Sequence, residues 1–174
     1  MKKIVALLAV SLISGYTSVF MLQPVLGAHG SPDAIETIRS RYAAINKNLQ
    51  RYRKVKKELE GYSAEGGSLE AYFDGDSIRK IVATHYGESG RALEEFYFWD
   101  DQLIFVFRKD FQYDKPLSGR VSSSKENRFY FDKNMLIRWI GDGGKQVSSN
   151  QSEYGEKQRE YLESSQQLLK LARS

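Results

Sequence analysis

The sequence predicts an α+β fold: an antiparallel β-meander of about six strands, arranged as three hairpins, with N- and C-terminal helices packed on one face. Three observations predict it. A Tyr-Phe pair followed by a turn-forming gap and an aliphatic residue occurs three times. Apolar residues recur at helical spacing before this region and again after it. The chain has no cysteine, so packing rather than disulfide bonds must stabilise the fold.

The first 27 residues have the layout of a secretory signal peptide. Lys2 and Lys3 provide the basic start, and a largely apolar stretch follows over residues 4–13. We expect cleavage after Gly27, which leaves residues 28–174 as one domain that is periplasmic or secreted and has no stable membrane span. The alternative is an uncleaved N-terminal segment that anchors the chain in a membrane.

The first helix is predicted over residues 33–60. Pro32 and Asp33 suit the start of a helix. Apolar side chains then recur every three or four positions, from Ile35 to Leu59. Its other faces carry eight Lys or Arg residues against four Asp or Glu residues. Such a basic face is usually solvated; the alternatives are contact with an acidic partner or anionic lipid, and pairing with a second copy of the chain.

Residues 69–140 are predicted to form the sheet. Within the leading strand of each hairpin, the Phe residue and the Tyr residue have opposite parity, so they lie on opposite faces. We expect the Phe residues to face the core beneath both helices and the Tyr residues to face outward. The three copies of the pair are Tyr72-Phe73, Tyr97-Phe98 and Tyr130-Phe131.

The return strands differ in polarity. Residues 103–107 are apolar at every position, which predicts a central strand covered on both faces. Residues 78–86 are more polar, which favours a position toward an edge of the sheet. Residues 110–125 are predicted to form a loop or an excursion, and residues 141–152 a linker. A final helix is predicted over residues 153–173, with a weaker apolar face.

The composition narrows the classes of function. Without the signal peptide the chain carries 24 basic and 22 acidic residues, a net charge of only +2, which disfavours nucleic-acid binding. His29 and His85 are the only histidines, too few for a zinc site, and we expect no metal and no cofactor. The acidic pairs at residues 74–76 and 100–101 are more typical of hairpin turns than of calcium ligands.

Four aromatic residues are the candidate binding surface, because they share the predicted outward face of the sheet. Amphipathic rings on a sheet suit contact with a protein or a polymer. We therefore expect an exported, non-catalytic binding or accessory protein of the bacterial cell envelope, with no catalytic residues. The alternatives are a small hydrolase that uses the 110–125 loop and acidic turn residues, and a helix-mediated oligomer; the oligomeric state is left open. The candidate residues are Tyr72, Tyr97, Trp99 and Tyr130.

Overall fold

The computed structural model describes residues 32–59, 61 and 65–174. The predicted signal peptide, residues 1–27, and His29 lie outside this range. Two short 3-10 turns, Leu49–Arg51 and Asp142–Gly144, accompany the main elements. In chain order these are α1 (Pro32–Lys47), β1 (Arg53–Glu58), β2 (Gly67–Asp74), β3 (Ser77–Gly87), β4 (Gly90–Trp99), β5 (Gln102–Tyr113), β6 (Val121–Asp132), β7 (Met135–Ile140) and α2 (Ser152–Arg173).

The strands form one antiparallel sheet in the order β1 to β7, so every strand pairs with its neighbours in the sequence. This arrangement confirms the predicted α+β meander with a helix at each end. The sheet has seven strands rather than six because residues 53–58, predicted as helix, form β1. Each connection is local, as expected of hairpins joined in series.

The three copies of the Tyr-Phe pair have the same local structure. Each hairpin turns through two residues, at 75–76, 100–101 and 133–134. The pairing register shifts between Tyr and Phe in every copy, so the return strand carries one extra residue there. Asp100 and Asp101 have φ values of 50° and 57°, and Lys133 and Asn134 have 48° and 62°. Left-handed values at both central residues are those of a type I′ hairpin turn, whereas in the first hairpin only Gly75, with a φ of 61°, is left-handed. The end of the sheet with these turns is called the turn end below.

The two helices pack on opposite faces of the sheet, which corrects the prediction that both lie on one face. The side with Phe73, Phe98 and Phe131, called the Phe face, packs against α2. The opposite side, called the Tyr face, packs against α1. Its apolar content explains why it needs a helix of its own, because burial of such side chains is favourable. That second core cluster consists of Ile35, Ile38, Ile45, Tyr97, Ile104, Phe105, Tyr130 and Ile137.

The first helix ends at Lys47, not at residue 60 as predicted. The Asn48 side-chain amide donates a hydrogen bond to the Ala44 carbonyl, 2.9 Å away, where the helix ends. Beyond it, Val55 and Leu59 fit a helical stripe and also the alternation of a strand. A strand forms here because its six residues pair with β2 and because Val55 and Leu59 thereby reach the core beneath α2.

Of the remaining predictions about the fold, some are confirmed and others are wrong. The central position of β5 is confirmed, with Leu103 and Val106 buried on the Phe face and Ile104 and Phe105 on the Tyr face. The position toward an edge predicted for residues 78–86 is wrong, because β3 lies between β2 and β4 and is the third of the seven strands. The loop between β5 and β6 is shorter than predicted and comprises residues 114–120. The final helix is confirmed within one residue.

Truncation of Ile45 tests the packing of α1 on the Tyr face. Ile45 is fully buried, so Ile45→Ala is expected to lower the free energy of unfolding by about 2–5 kcal/mol through lost burial and the cavity it leaves. Leu117→Ala, at a side chain that is 69% exposed, is the control and should change stability by no more than about 0.5 kcal/mol. Urea titration provides the measurement. Equal unfolding midpoints for the two variants would contradict the packing described.

Candidate functional site

A continuous row of aromatic and basic side chains crosses the Tyr face near the turn end. Residues paired directly across antiparallel strands point to the same side of the sheet, so the strand registers define the row. Basic and aromatic side chains alternate along its first half. From β1 to β7 the row is Lys54, Tyr72, Lys80, Tyr97, Phe105, Tyr130 and Arg138.

The four predicted binding residues share this face, but they do not form an exposed surface. Tyr97 is fully buried and Tyr130 is 8% exposed, because α1 covers both. The expectation that these rings face outward is therefore wrong. The strand sequences do not show which face of the sheet α1 covers, because the apolar stripe of α1 could also pack against the Phe face.

The other two predicted residues are half-buried and held by cations. The Tyr72 hydroxyl donates to Glu70 over 2.9 Å, and the Lys54 ammonium lies 5.2 Å from the ring centroid. Two guanidinium groups lie over the Trp99 ring, those of Arg41 at 5.1 Å and Arg79 at 4.8 Å from its centroid. Each ring is thus engaged within the chain, which reduces what it can offer to a partner.

A buried polar network fixes the centre of the row beneath α1. The Tyr97 hydroxyl donates to Glu95 over 2.6 Å and lies 3.2 Å from the Asn46 side-chain oxygen. The Lys80 ammonium is 3.0 Å from the same Glu95 carboxylate. Burial, reinforced by this carboxylate, raises the pKa of Tyr97 far above its ordinary value. The hydroxyl therefore stays protonated and acts as a fixed donor.

Beside this network, a groove of about 450 Å³ opens between α1 and the sheet. Its floor is aromatic and its rim is charged, so it combines apolar area with a few polar groups, as small-ligand sites do. We call it the α1 groove. The residues that line it are Ile38, Arg39 and Tyr42 from α1, Glu95 from β4, Phe105 and Phe107 from β5, and Glu126, Arg128 and Tyr130 from β6.

The aromatic side chains of the α1 groove pack against one another and define its shape. The Tyr42 ring lies 5.3 Å from the Phe105 ring, nearly perpendicular to it, and the Phe105 ring lies 4.9 Å from that of Tyr130. These separations suit favourable ring–ring contacts. Tyr42 is 39% exposed, so part of this aromatic surface remains open to solvent.

The charged side chains of the α1 groove differ in whether they form ion pairs. Glu126 accepts hydrogen bonds from Lys109 and Arg128, each at 2.8 Å. The Lys109 hydrogen bond, with a smaller contribution from Arg128, lowers the pKa of Glu126 below its ordinary value. Glu95 is held by Lys80, as described above. Within residues 32–59, 61 and 65–174, the Arg39 guanidinium has no acidic partner at ion-pair distance.

The residues of the alternative hydrolase hypothesis do not meet in this site. The acidic turn residues lie at the turn end, whereas the 114–120 loop lies at the opposite end of β5. A strand of 12 residues separates them, which is roughly 40 Å. His85 lies outside the groove, on the Phe face, with its Nε2 atom 3.3 Å from the Glu94 carboxylate.

The sequence missed most of the groove residues. Phe107, Glu126 and Arg128 share the strand parity of the predicted Tyr residues, so an extension of the same alternation away from the turn end would have found them. Arg39 had no comparable signal, because it was one of eight cations on the basic faces of the predicted helix.

Comparison with protein-family models, curated protein sequences and solved structures finds no match to this chain. Among the described residues, neither α1 nor α2 combines the length and apolar character that a membrane-spanning helix needs. The functional interpretation therefore depends on the geometry and charges of the α1 groove.

Truncation of Tyr97 and of Tyr72, two of the predicted binding residues, should show that Tyr97 contributes more to the stability of the fold. Tyr97→Ala is expected to lower the free energy of unfolding by about 3–5 kcal/mol, the range for large buried aromatics, because it empties the space beneath α1 and breaks the polar network. Tyr72→Ala removes a half-buried ring and should cost clearly less. Thermal and urea unfolding of both variants measure the difference. A larger loss for Tyr72→Ala would contradict the burial of Tyr97.

The depressed pKa of Glu126 predicts a pH-dependent contribution to stability. A carboxyl whose folded pKa lies below its ordinary value of 4.5 stabilises the fold above that pH, and the contribution is lost as the pH falls through the folded value. Glu126→Gln should therefore be less stable than the parent at pH 7, with the difference shrinking below about pH 4. Urea midpoints between pH 3 and pH 7 measure it, with the exposed Glu156→Gln on α2 as control. A difference that grows toward acid would contradict the assignment.

Proposed function

We propose that the chain is an exported, non-catalytic binding or accessory module of the cell envelope, and that its partner, a protein or an envelope polymer, inserts an apolar group into the α1 groove. The observation that carries this proposal is the aromatic surface that stays accessible beside α1. Tyr42 is 39% exposed and Phe107 is half-buried, so both rings can contact a partner, whereas Phe105 and Tyr130 are buried beneath the helix.

The α1 groove replaces the exposed tyrosine patch as the proposed binding surface. Three of its four aromatic residues stand on a sheet whose central strands are packed on both faces, and the fourth, Tyr42, stands on α1, so the site is held by rigid elements. Phe105 is buried and Phe107 half-buried, so the accessible aromatic area of β5 is that of Phe107. The Arg128 guanidinium lies 5.5 Å from the Phe107 ring centroid, so a ligand group placed there would contact this guanidinium as well as the ring.

The two alternatives have less support from the same residues. Catalysis by the acidic turns and the 114–120 loop would need groups from both ends of the sheet to converge. Helix-mediated oligomerisation would need a free apolar stripe on α1, but Ile35, Ile38 and Ile45 are buried against the Tyr face. Export and an envelope location depend on residues 1–27 and stay part of the proposal.

A small neutral aromatic probe tests the proposed site. We expect N-acetyl-L-phenylalaninamide to shift the amide resonances of the groove strands in a ¹H–¹⁵N NMR titration of residues 28–174. Phe107→Ala should weaken this binding about fivefold to tenfold, because the accessible part of one aromatic ring of the floor is lost.

The matched control is Phe111→Ala, on the same strand and the same face but outside the groove. It should leave the affinity unchanged. Shifts spread over the whole chain, or equal effects of the two variants, would contradict the α1 groove as the binding site.

A further inference from the structure

The balance of charge in and around the α1 groove favours an anionic ligand. Its two lining carboxylates are already paired: Glu95 with Lys80, and Glu126 with Lys109 and Arg128. Among the described residues that line the groove, the charge left without an opposite partner is that of the Arg39 guanidinium. It lies in a concave region, where the low-dielectric walls strengthen its field.

Among the described residues that line the groove, Arg39 is the cation that makes no ion pair. Arg128 already donates to Glu126, and its guanidinium lies 5.5 Å from the Phe107 ring centroid. Arg39 stands on the opposite wall, on α1, and has no acidic partner in the described part of the chain. A guanidinium presents a planar fork of donors that matches a carboxylate with two parallel hydrogen bonds.

The same balance disfavours a ligand that also carries an ammonium group. Glu126 is occupied by Lys109 and Arg128, and Glu95 by Lys80 and the Tyr97 hydroxyl. Among the described residues that line the groove, an ammonium would find no unpaired carboxylate, and the Arg39 guanidinium would repel it. A free zwitterionic amino acid is thus a poor ligand, whereas an acylated residue with a free carboxylate is a good one.

From these contacts we infer that the α1 groove binds the C-terminal aromatic residue of a polypeptide partner, with the ring against Tyr42 and Phe107 and the terminal carboxylate at Arg39. This inference rests on the proposed function and specifies its ligand. A volume of about 450 Å³ is in the lower part of the range of small-ligand sites, which suits one residue and its terminal group. Capture of a chain terminus is an established mode of peptide recognition.

Three probes of similar size test whether binding requires the carboxylate and whether an ammonium group weakens it. N-acetyl-L-phenylalanine carries the ring and the carboxylate, its amide lacks the charge, and free L-phenylalanine adds an ammonium. We expect the acetylated acid to bind about threefold to tenfold more tightly than the other two at low salt, and the preference to shrink at 0.5 M salt. Calorimetry and NMR titration of residues 28–174 give the affinities.

Two variants assign the preference to one side chain. Arg39→Gln should bring the acetylated acid to the affinity of the amide and leave the amide unaffected. Arg159→Gln, at an exposed arginine on α2, is the matched control and should change neither. Because Arg39 is exposed and makes no ion pair with the described residues, its replacement is not expected to unfold the chain, and a thermal melt verifies this.

The outcomes distinguish the inference from the proposed function. Equal binding of acid and amide at the groove would overturn the carboxylate assignment while the binding function stands. Tighter binding of free L-phenylalanine would assign the site to a small zwitterion instead of a polypeptide terminus. Preferential binding of a tri-N-acetylglucosamine probe at the groove would assign it to an envelope glycan. Absence of groove shifts with every probe would overturn both proposals.

Discussion

The alternation of Phe and Tyr across three bulged hairpins is the constraint on which the rest of the structure depends. Side chains alternate between the faces of a strand, so each Tyr-Phe pair commits one ring to each side of the sheet. The bulge after every Tyr places the next apolar residue of the return strand on the Tyr face in the second and third hairpins, as Ile104 and Ile137 show. Both faces thereby become apolar near the turn end.

A sheet with two apolar faces needs two covering layers, and the two helices provide one each. The α1 groove forms because the width of a helix is smaller than the length of the strands that it covers. A helix with its side chains is about 10 Å wide, whereas β5 extends roughly 40 Å. The first helix therefore covers the row that contains Tyr97 and Tyr130, and the aromatic surface around Phe107 stays accessible beside it. The charged residues that follow along β6 form the rim of this opening.

The sequence predicted the features that depend on local alternation and turn chemistry. The three hairpins, the opposite parity of Phe and Tyr, the central position of β5 and the bounds of α2 all follow from patterns within a few residues. The prediction was wrong where two periods overlap. Residues 49–59 satisfy both a helical stripe and a strand, and only pairing with β2 decides between them. The sequence also could not predict that α1 covers the Tyr face, because local patterns do not specify on which face of a sheet a helix packs.

The most direct test of this account is the set of ¹H–¹H NOE contacts made by the Tyr42 ring in solution. The structure places this ring 4.8 Å from that of Tyr97 and 5.3 Å from that of Phe105, both on the Tyr face. We expect strong contacts from Tyr42 to these two residues. Contacts instead from Tyr42 to Phe96 or Phe129, which lie beneath α2 on the other face, would show that both helices share one side of the sheet and would remove the α1 groove.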